Sequence, residues 1–192
     1  MRGIRFILIL IVGLVAGAGA AIVAIHAQMS SMADTFRNGQ WQYFPSMDLE
    51  VNPVLRAAIA RSALFAVRES EVLYFLLDKD DQGLALSSHA VYELKGRKLQ
   101  SRYWSICLYG EDHFLVDNSE DRYSYNQENI QYTKEDSSAF LIRISARPQA
   151  GNWLPSGEEE TFSLILRLYH PDPSVYQNIA TTSLPTLKKV SP

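Results

Sequence analysis

Cysteine, histidine and an excess of positive charge are all scarce in this 192-residue chain. It contains one cysteine, Cys107, and four histidines, and its formal net charge is −3. A single thiol excludes an intramolecular disulfide framework and any multi-cysteine metal cage. The charge argues against a nucleic-acid binder that works by neutralising phosphates. We therefore expect no cofactor, no metal site and no nucleic-acid partner.

Charge is missing altogether from Phe6 to Ala27. At helical rise these 22 residues would extend roughly 33 Å, enough for a bilayer core of about 30 Å. Arg2 and Arg5 precede the run, and no further basic residue occurs until Arg37. By the positive-inside rule this asymmetry predicts that the first five residues stay in the cytoplasm. We expect a single-pass protein of a bacterial inner membrane with its C-terminal domain in the periplasm.

A cleaved signal peptide is the alternative to a retained anchor. Ala18-Gly19-Ala20 offers the small-residue pattern that a signal peptidase recognises. The apolar run continues seven residues past that site, which is longer than the apolar region of a signal peptide requires. Retention in the membrane is therefore the favoured prediction.

The remainder is predicted to contain a stalk and one domain. Residues 28–51 mix turn-forming residues with Trp41, Tyr43 and Phe44, which is typical of a stalk whose aromatic end docks onto the domain. Residues 52–192 form the domain, which opens with a short amphipathic helix after Asn52-Pro53.

From residue 71 onward the hydrophobic pattern changes from helical to alternating. Several short segments alternate apolar and polar residues and are bounded by Gly, Pro, Asn or Asp. The segments are EVLYFLLD, LSSHAVYEL, RYWSICLYG, FLIRISARP and TFSLILRLY. With no helix between them, they predict a mainly-β domain, namely an antiparallel, jelly-roll-like β-sandwich.

Four sequence blocks, in this order and spacing, resemble the bacterial family called domain of unknown function 1214. The blocks are RAAIAR (56–61), YWSICLYGEDHFLVDNSEDRYSY (103–125), GNWLP (151–155) and FSLILRLYHPDPSV (162–175). The resemblance implies a jelly-roll-like sandwich and supplies no established activity. It also implies a companion, because members are often the carboxyl half of longer envelope proteins whose amino half is the domain of unknown function 1254. A short anchored form would then work with a separately encoded companion protein.

Glu111, Asp112, His113 and Asp117 form the densest polar cluster in the sequence. Such donors can hold a divalent cation, but this spacing matches no defined site. An ordinary turn in which Asp bonds its own backbone is the favoured interpretation.

Seven residues in or near the family-like blocks are predicted to bind a ligand or partner. They are Tyr103, Trp104, Arg122, Tyr123, Asn152, Trp153 and Arg167. Tyrosine and tryptophan combine an apolar face with a polar edge, which suits stacking on a glycan or anchoring a protein. Trp104 is alternatively a core residue. Trp153 is expected in an exposed loop, so Trp153→Ala should weaken binding without unfolding the domain.

No catalytic residues can be assigned from the sequence. It contains no G-x-S-x-G motif, and Cys107 lies in a predicted strand without an obvious activating base. The favoured hypothesis is an envelope module that binds a protein partner or a glycan without catalysis. The alternative is an envelope hydrolase, or half of an active site that a partner chain completes.

Overall fold

The structure is a computed structural model that describes residues 2–35, 37–43, 68 and 70–191. The chain divides into two compact units. The described residues of the first unit form helix α1 (Arg2–Thr35), and those of the second form the strands. The amphipathic helix predicted after Asn52 lies outside the described residues.

Helix α1 is apolar over most of its length. From Gly3 to Ala27 its mean hydropathy is 2.8, and none of that surface is buried inside the protein. A fully exposed apolar helix of 25 residues is stable in lipid rather than in water. The helix could therefore anchor the chain in a membrane, although a signal sequence has the same length and composition.

Six described strands form one antiparallel sheet in the order β1-β2-β3-β9-β5-β6. They are β1 (Arg37–Asn38), β2 (Trp41–Tyr43), β3 (Val72–Leu77), β5 (Ser101–Gly110), β6 (Ser124–Asn126) and β9 (Phe162–Pro171). The predicted stalk thus contributes its residues 37–38 and 41–43 to the sheet. Trp41 is 1% exposed, and its indole N–H donates to the carbonyl oxygen of Pro185 at 2.6 Å.

The second sheet has four described strands in the order β10-β4-β7-β8. They are β4 (Val91–Arg97), β7 (Ala139–Ser145), β8 (Asn152–Pro155) and β10 (Thr186–Ser191). Helix α2 (Pro173–Tyr176) and a 3₁₀ turn (Ile179–Thr181) precede β10.

The pairing of β7 with β8 is parallel, whereas every other described strand pair of the two sheets is antiparallel. Because β7 and β8 run in the same direction, the loop of residues 146–151 returns the chain from the end of β7 to a point beside Ile142, where β8 begins. Two side chains hold this return: Arg143 donates to the carbonyl of Ala150 at 2.9 Å, and Asn152 Nδ2 donates to the carbonyl of Leu141 at 2.9 Å.

The two sheets pack face to face around one core. Trp104 of β5 stacks on Phe140 of β7 with ring centroids 5.2 Å apart, and Tyr92 of β4 meets Phe162 of β9 edge to face at 5.9 Å. Strand alternation produces this core, because every second residue of each central strand points inward. The mainly-β prediction is confirmed, whereas the jelly-roll connectivity remains a prediction.

Candidate functional site on the six-stranded sheet

The outer side of the six-stranded sheet carries a cluster of tyrosines around one arginine. Strands β3, β9 and β5 are neighbours, and register places Tyr74 opposite Arg167 and Tyr103 opposite Tyr169. All these side chains point away from the core and are partly exposed. We call the set formed by Tyr74, Tyr103, Tyr109, Arg167 and Tyr169 the tyrosine–arginine face.

Arg167 lies at the centre of this face and is held by its neighbours. Its Nη2 donates to the hydroxyl oxygen of Tyr109 at 2.8 Å, and its Nη1 donates to Cys107 Sγ at 3.2 Å. The guanidinium carbon lies 5.9 Å from the ring centroid of Tyr74 and 5.5 Å from that of Tyr109. These contacts fix the position of the guanidinium without neutralising its charge.

The positive charge of Arg167 has no acidic counterpart in the described part of the chain. No described Asp or Glu lies within ion-pairing distance of it. Burial lowers the pKa of the Arg167 guanidinium, but the hydrogen bond to Tyr109 and the attraction of Cys107 oppose that effect, and the net pKa is raised. The side chain is therefore a permanent cation on a half-buried surface, where a carboxylate is its best geometric match.

Burial also raises the pKa of two tyrosines on the face. For Tyr74, the positive charge of Arg167 offsets part of that rise. For Tyr103, the carboxylate of Glu128 adds to it. None of the five residues of the face is acidic or a histidine, although the exposed His170 follows Tyr169 at the end of β9. The face therefore presents hydrogen-bond donors and aromatic surface.

Two of the seven residues predicted to bind lie on this face. Tyr103 packs against Tyr169 with ring centroids 5.6 Å apart, and Arg167 forms the contacts described above. Tyr74, Tyr109 and Tyr169 also belong to the face and were not predicted from the sequence. The sequence pattern could have indicated these three tyrosines, because they fall at the outward positions of the same alternating strands.

Trp104 belongs to the core, as its alternative interpretation proposed. Its side chain is 0% exposed and stacks on Phe140. A ligand arriving from solvent would not contact it in this structure.

The prediction that Trp153 lies in an exposed loop is wrong. Asn152 and Trp153 lie in β8, and each is 6% exposed. The Trp153 indole N–H donates to the carbonyl oxygen of Ser145 at 3.0 Å, and the backbone N–H donates to the hydroxyl of Tyr125 at 2.9 Å. The Asn152 amide nitrogen donates to the carbonyls of Gln131 and Leu141, and its amide oxygen accepts from the N–H of Gln131. Both side chains therefore stabilise the parallel pair.

Arg122 and Tyr123 lie away from the face, immediately before β6. Arg122 donates to the carbonyl of Trp153 at 3.2 Å and lies over the ring of Tyr125. The hydroxyl of Tyr123 donates to Asp121 at 3.2 Å, and this hydrogen bond raises the pKa of Tyr123. The seven predicted residues therefore do not form one site.

The acidic segment from Glu111 to Asp117 forms a turn in the structure. Asp112 Oδ1 accepts from the backbone N–H of Phe114 at 2.9 Å. Among the described residues, no group of three or more His, Cys, Asp or Glu side chains is placed to hold a metal ion.

Comparison with known proteins establishes the family. The family described as Protein of unknown function (DUF1214) matches residues 71–173, which is more than half of the chain. The chain belongs to this family. The matched region runs from β3 to β9 and therefore includes the whole tyrosine–arginine face. No curated protein matches the chain.

Solved structures similar to this DUF1214 chain include a Vibrio protein and a Burkholderia protein. The VPA0106 protein from Vibrio parahaemolyticus has a TM-score of 0.65 at 20% identity, covering 86% of this chain and 42% of its own. An uncharacterized protein from Burkholderia cenocepacia has a TM-score of 0.49 at 16% identity, covering 91% of this chain and 42% of its own. The Vibrio structure supports the fold, and this chain spans less than half the length of either protein.

Proposed function

We propose that this DUF1214 chain is a membrane-anchored module of the bacterial periplasm that binds a companion envelope protein without catalysing a reaction. The tyrosine–arginine face is the binding surface. The observation that carries the proposal is the guanidinium of Arg167, which is half-buried, positioned by Tyr109 and Cys107, and unmatched by a described carboxylate.

The anchored location rests on α1 and on the charges beside it. Arg2 and Arg5 flank the apolar segment on one side, and no basic residue follows until Arg37. This asymmetry favours a cytoplasmic N-terminus and an exported domain. The apolar surface from Gly3 to Ala27 favours residence in lipid.

A protein partner is favoured by the composition of the face and by the length of the relative. Tyrosine and arginine are the residues enriched at the energetic centres of protein interfaces, where a partner's carboxylate would pair with Arg167. The Vibrio structure continues well beyond the region shared with this chain. A separate companion protein could therefore take the place of that additional chain.

A carboxylate-bearing glycan is a second candidate for the same face. The rings of Tyr74 and Tyr109 lie beside Arg167, and Tyr103 and Tyr169 belong to the same face. Aromatic rings beside a fixed cation suit the apolar and anionic parts of an acidic sugar. Catalysis is less favoured, since hydrolysis needs an acid or base and none of the five residues of the face is a carboxylate or a histidine.

The test is cross-linking in the envelope of the source organism. The tagged full-length chain is cross-linked in intact cells, extracted in detergent and purified, in parallel with Arg167→Glu and Arg147→Glu. Arg147 is an exposed arginine outside the face, so its substitution makes the same charge change elsewhere. We expect one companion protein to be cross-linked to the wild type and to Arg147→Glu, and to be lost from Arg167→Glu.

Equal recovery of the companion with Arg167→Glu would contradict the proposed surface. Recovery of no protein, together with Arg167-dependent retention on immobilised acidic glycans, would replace the protein partner with the glycan.

A further inference from the structure

An exposed aromatic residue is held rigidly at one end of the domain. Phe114 is 72% exposed, and Leu115 beside it is 44% exposed. The turn that presents them is tied by the N–H of Gly110 to the carbonyl of Phe114 at 2.9 Å and by Asp112 to the N–H of Phe114. His113 within it has φ of 67°, a left-handed conformation that a non-glycine residue rarely adopts. An apolar pair held in a fixed conformation loses little entropy when it is bound.

Acidic side chains surround this apolar pair. Residues 111–121 and 156–161 contain eight Asp or Glu residues and no Lys or Arg. The two loops are adjacent, since a side chain at Gly110 would come 3.6 Å from Glu159 and one at Gly157 would collide with Val116. A complementary surface combines a cavity that has apolar side chains in its wall with a basic group.

A cavity of that kind lies at the opposite end of the same domain. Its volume is about 220 Å³, and polar and apolar atoms share its wall about equally. Leu99, Leu168 and Val175 contribute to the apolar part, and Arg97 and Lys98 also line the cavity. Arg97 pairs with Asp136 at 2.5 Å, whereas Lys98 forms no ion pair with a described residue. A cavity of about 150 Å³ accommodates a benzene ring, so this one has room for a phenylalanine side chain.

The two features lie at opposite ends of β5, which runs from Ser101 beside the cavity to Gly110 beside the turn. At the rise of an extended strand its ten residues separate them by roughly 30 Å. The turn and the cavity of one molecule therefore cannot contact each other, whereas the turn of one molecule can contact the cavity of a second molecule arranged head to tail with it.

We propose that Phe114 of one chain docks in the cavity beside Lys98 of a second copy, with acidic residues of its turn facing that lysine. The contact joins two different surfaces, so it is head to tail and leaves a cavity and a turn free at the two ends. This contact does not involve the tyrosine–arginine face, which remains open to a companion protein.

The test uses a carbodiimide, which joins a carboxylate to an amine only when the two are in contact. The full chain is reconstituted in liposomes as a mixture of ¹⁵N-labelled and unlabelled copies, so that links between copies are identified by mass spectrometry. We expect an amide between Lys98 and an acidic residue of 111–121 or 158–160. Phe114→Ser should reduce its yield at least about tenfold, because the apolar anchor is lost.

Leu84→Ser is the matched control, since Leu84 is another exposed apolar residue at 56% exposure on a different loop. It should leave the yield unchanged. Absence of any link between Lys98 and these acidic residues would overturn the proposal. Equal yield from Phe114→Ser and the wild type would overturn it as well, as would links between copies confined to other residues.

Discussion

The inner and outer faces of strands β5 and β9 differ in residue type and in exposure to solvent. The inner face carries Trp104, Ile106, Leu166 and Leu168, which are at most 1% exposed. The outer face of the same strands carries tyrosines, Cys107 and Arg167, all of them partly exposed. The inner face stabilises the fold by removing apolar surface from water, whereas the outer face can change without opening the core. Substitutions on the two faces should therefore affect different measurements.

The largest effect on stability is expected for Trp104, whose neighbour Tyr103 points to the opposite face of the sheet. Trp104→Ala should lower the free energy of unfolding by about 3–5 kcal/mol, because it leaves a cavity beside Phe140. Tyr103→Ala, one residue away on the outer face, should cost well under half of that. Urea unfolding of the full chain in detergent, followed by circular dichroism, measures both. Equal losses would show that the two faces do not divide the roles in this way.

Trp153→Ala should also destabilise the domain, by about 3 kcal/mol, since it removes a buried ring. It also removes the hydrogen bond to Ser145. Trp153→Phe, which keeps a ring but loses that bond, should cost less. The same unfolding experiment measures both variants. An unchanged unfolding midpoint for Trp153→Ala would mean that the tryptophan does not stabilise β8.

These tryptophans show what the sequence could and could not predict. The parity of β5 and β9 predicts which residues share a face, and it places Trp104 with Ile106 and Leu108. Trp153 lies between Gly151 and Pro155, residues typical of a loop. Only the parallel pairing with β7, a contact between segments that no local pattern reveals, buries it. The tyrosine–arginine face likewise depends on the order β3-β9-β5, which brings Tyr74 beside Arg167 from a distant part of the sequence.

A substitution on the outer face should have a much smaller effect on stability. Arg167→Gln should lower the free energy of unfolding by about 1–2 kcal/mol, because it removes the hydrogen bonds to Tyr109 and Cys107 but no core side chain. The amount of companion protein cross-linked to the Arg167→Gln variant should nevertheless fall to background. Parallel unfolding and cross-linking experiments give the two values. A drop in stability as large as that of Trp104→Ala would assign Arg167 to the fold instead.

The smallest expected effect is a change in how the stability of the domain falls at alkaline pH. Burial raises the pKa of Tyr74 above its ordinary value of 10.0, so the folded state favours the protonated hydroxyl. The resulting stability is fully present below pH 10.0 and is lost as the pH rises through the folded-state pKa. Tyr74→Phe should therefore lose less stability than the wild type on alkaline titration. Unfolding midpoints at pH 8 and about 10.5 measure this difference, and identical pH dependence would contradict it.

Tyrosine footprinting in the native envelope tests the binding surface most directly. Hydroxyl radicals are generated around intact membranes and around the purified chain, and the oxidation of each tyrosine is quantified. The account predicts that Tyr74, Tyr103, Tyr109 and Tyr169 are protected in the envelope, while Tyr123, which lies off the face, is oxidised equally in both. Equal oxidation of the four face tyrosines in membranes and in the purified chain would contradict it.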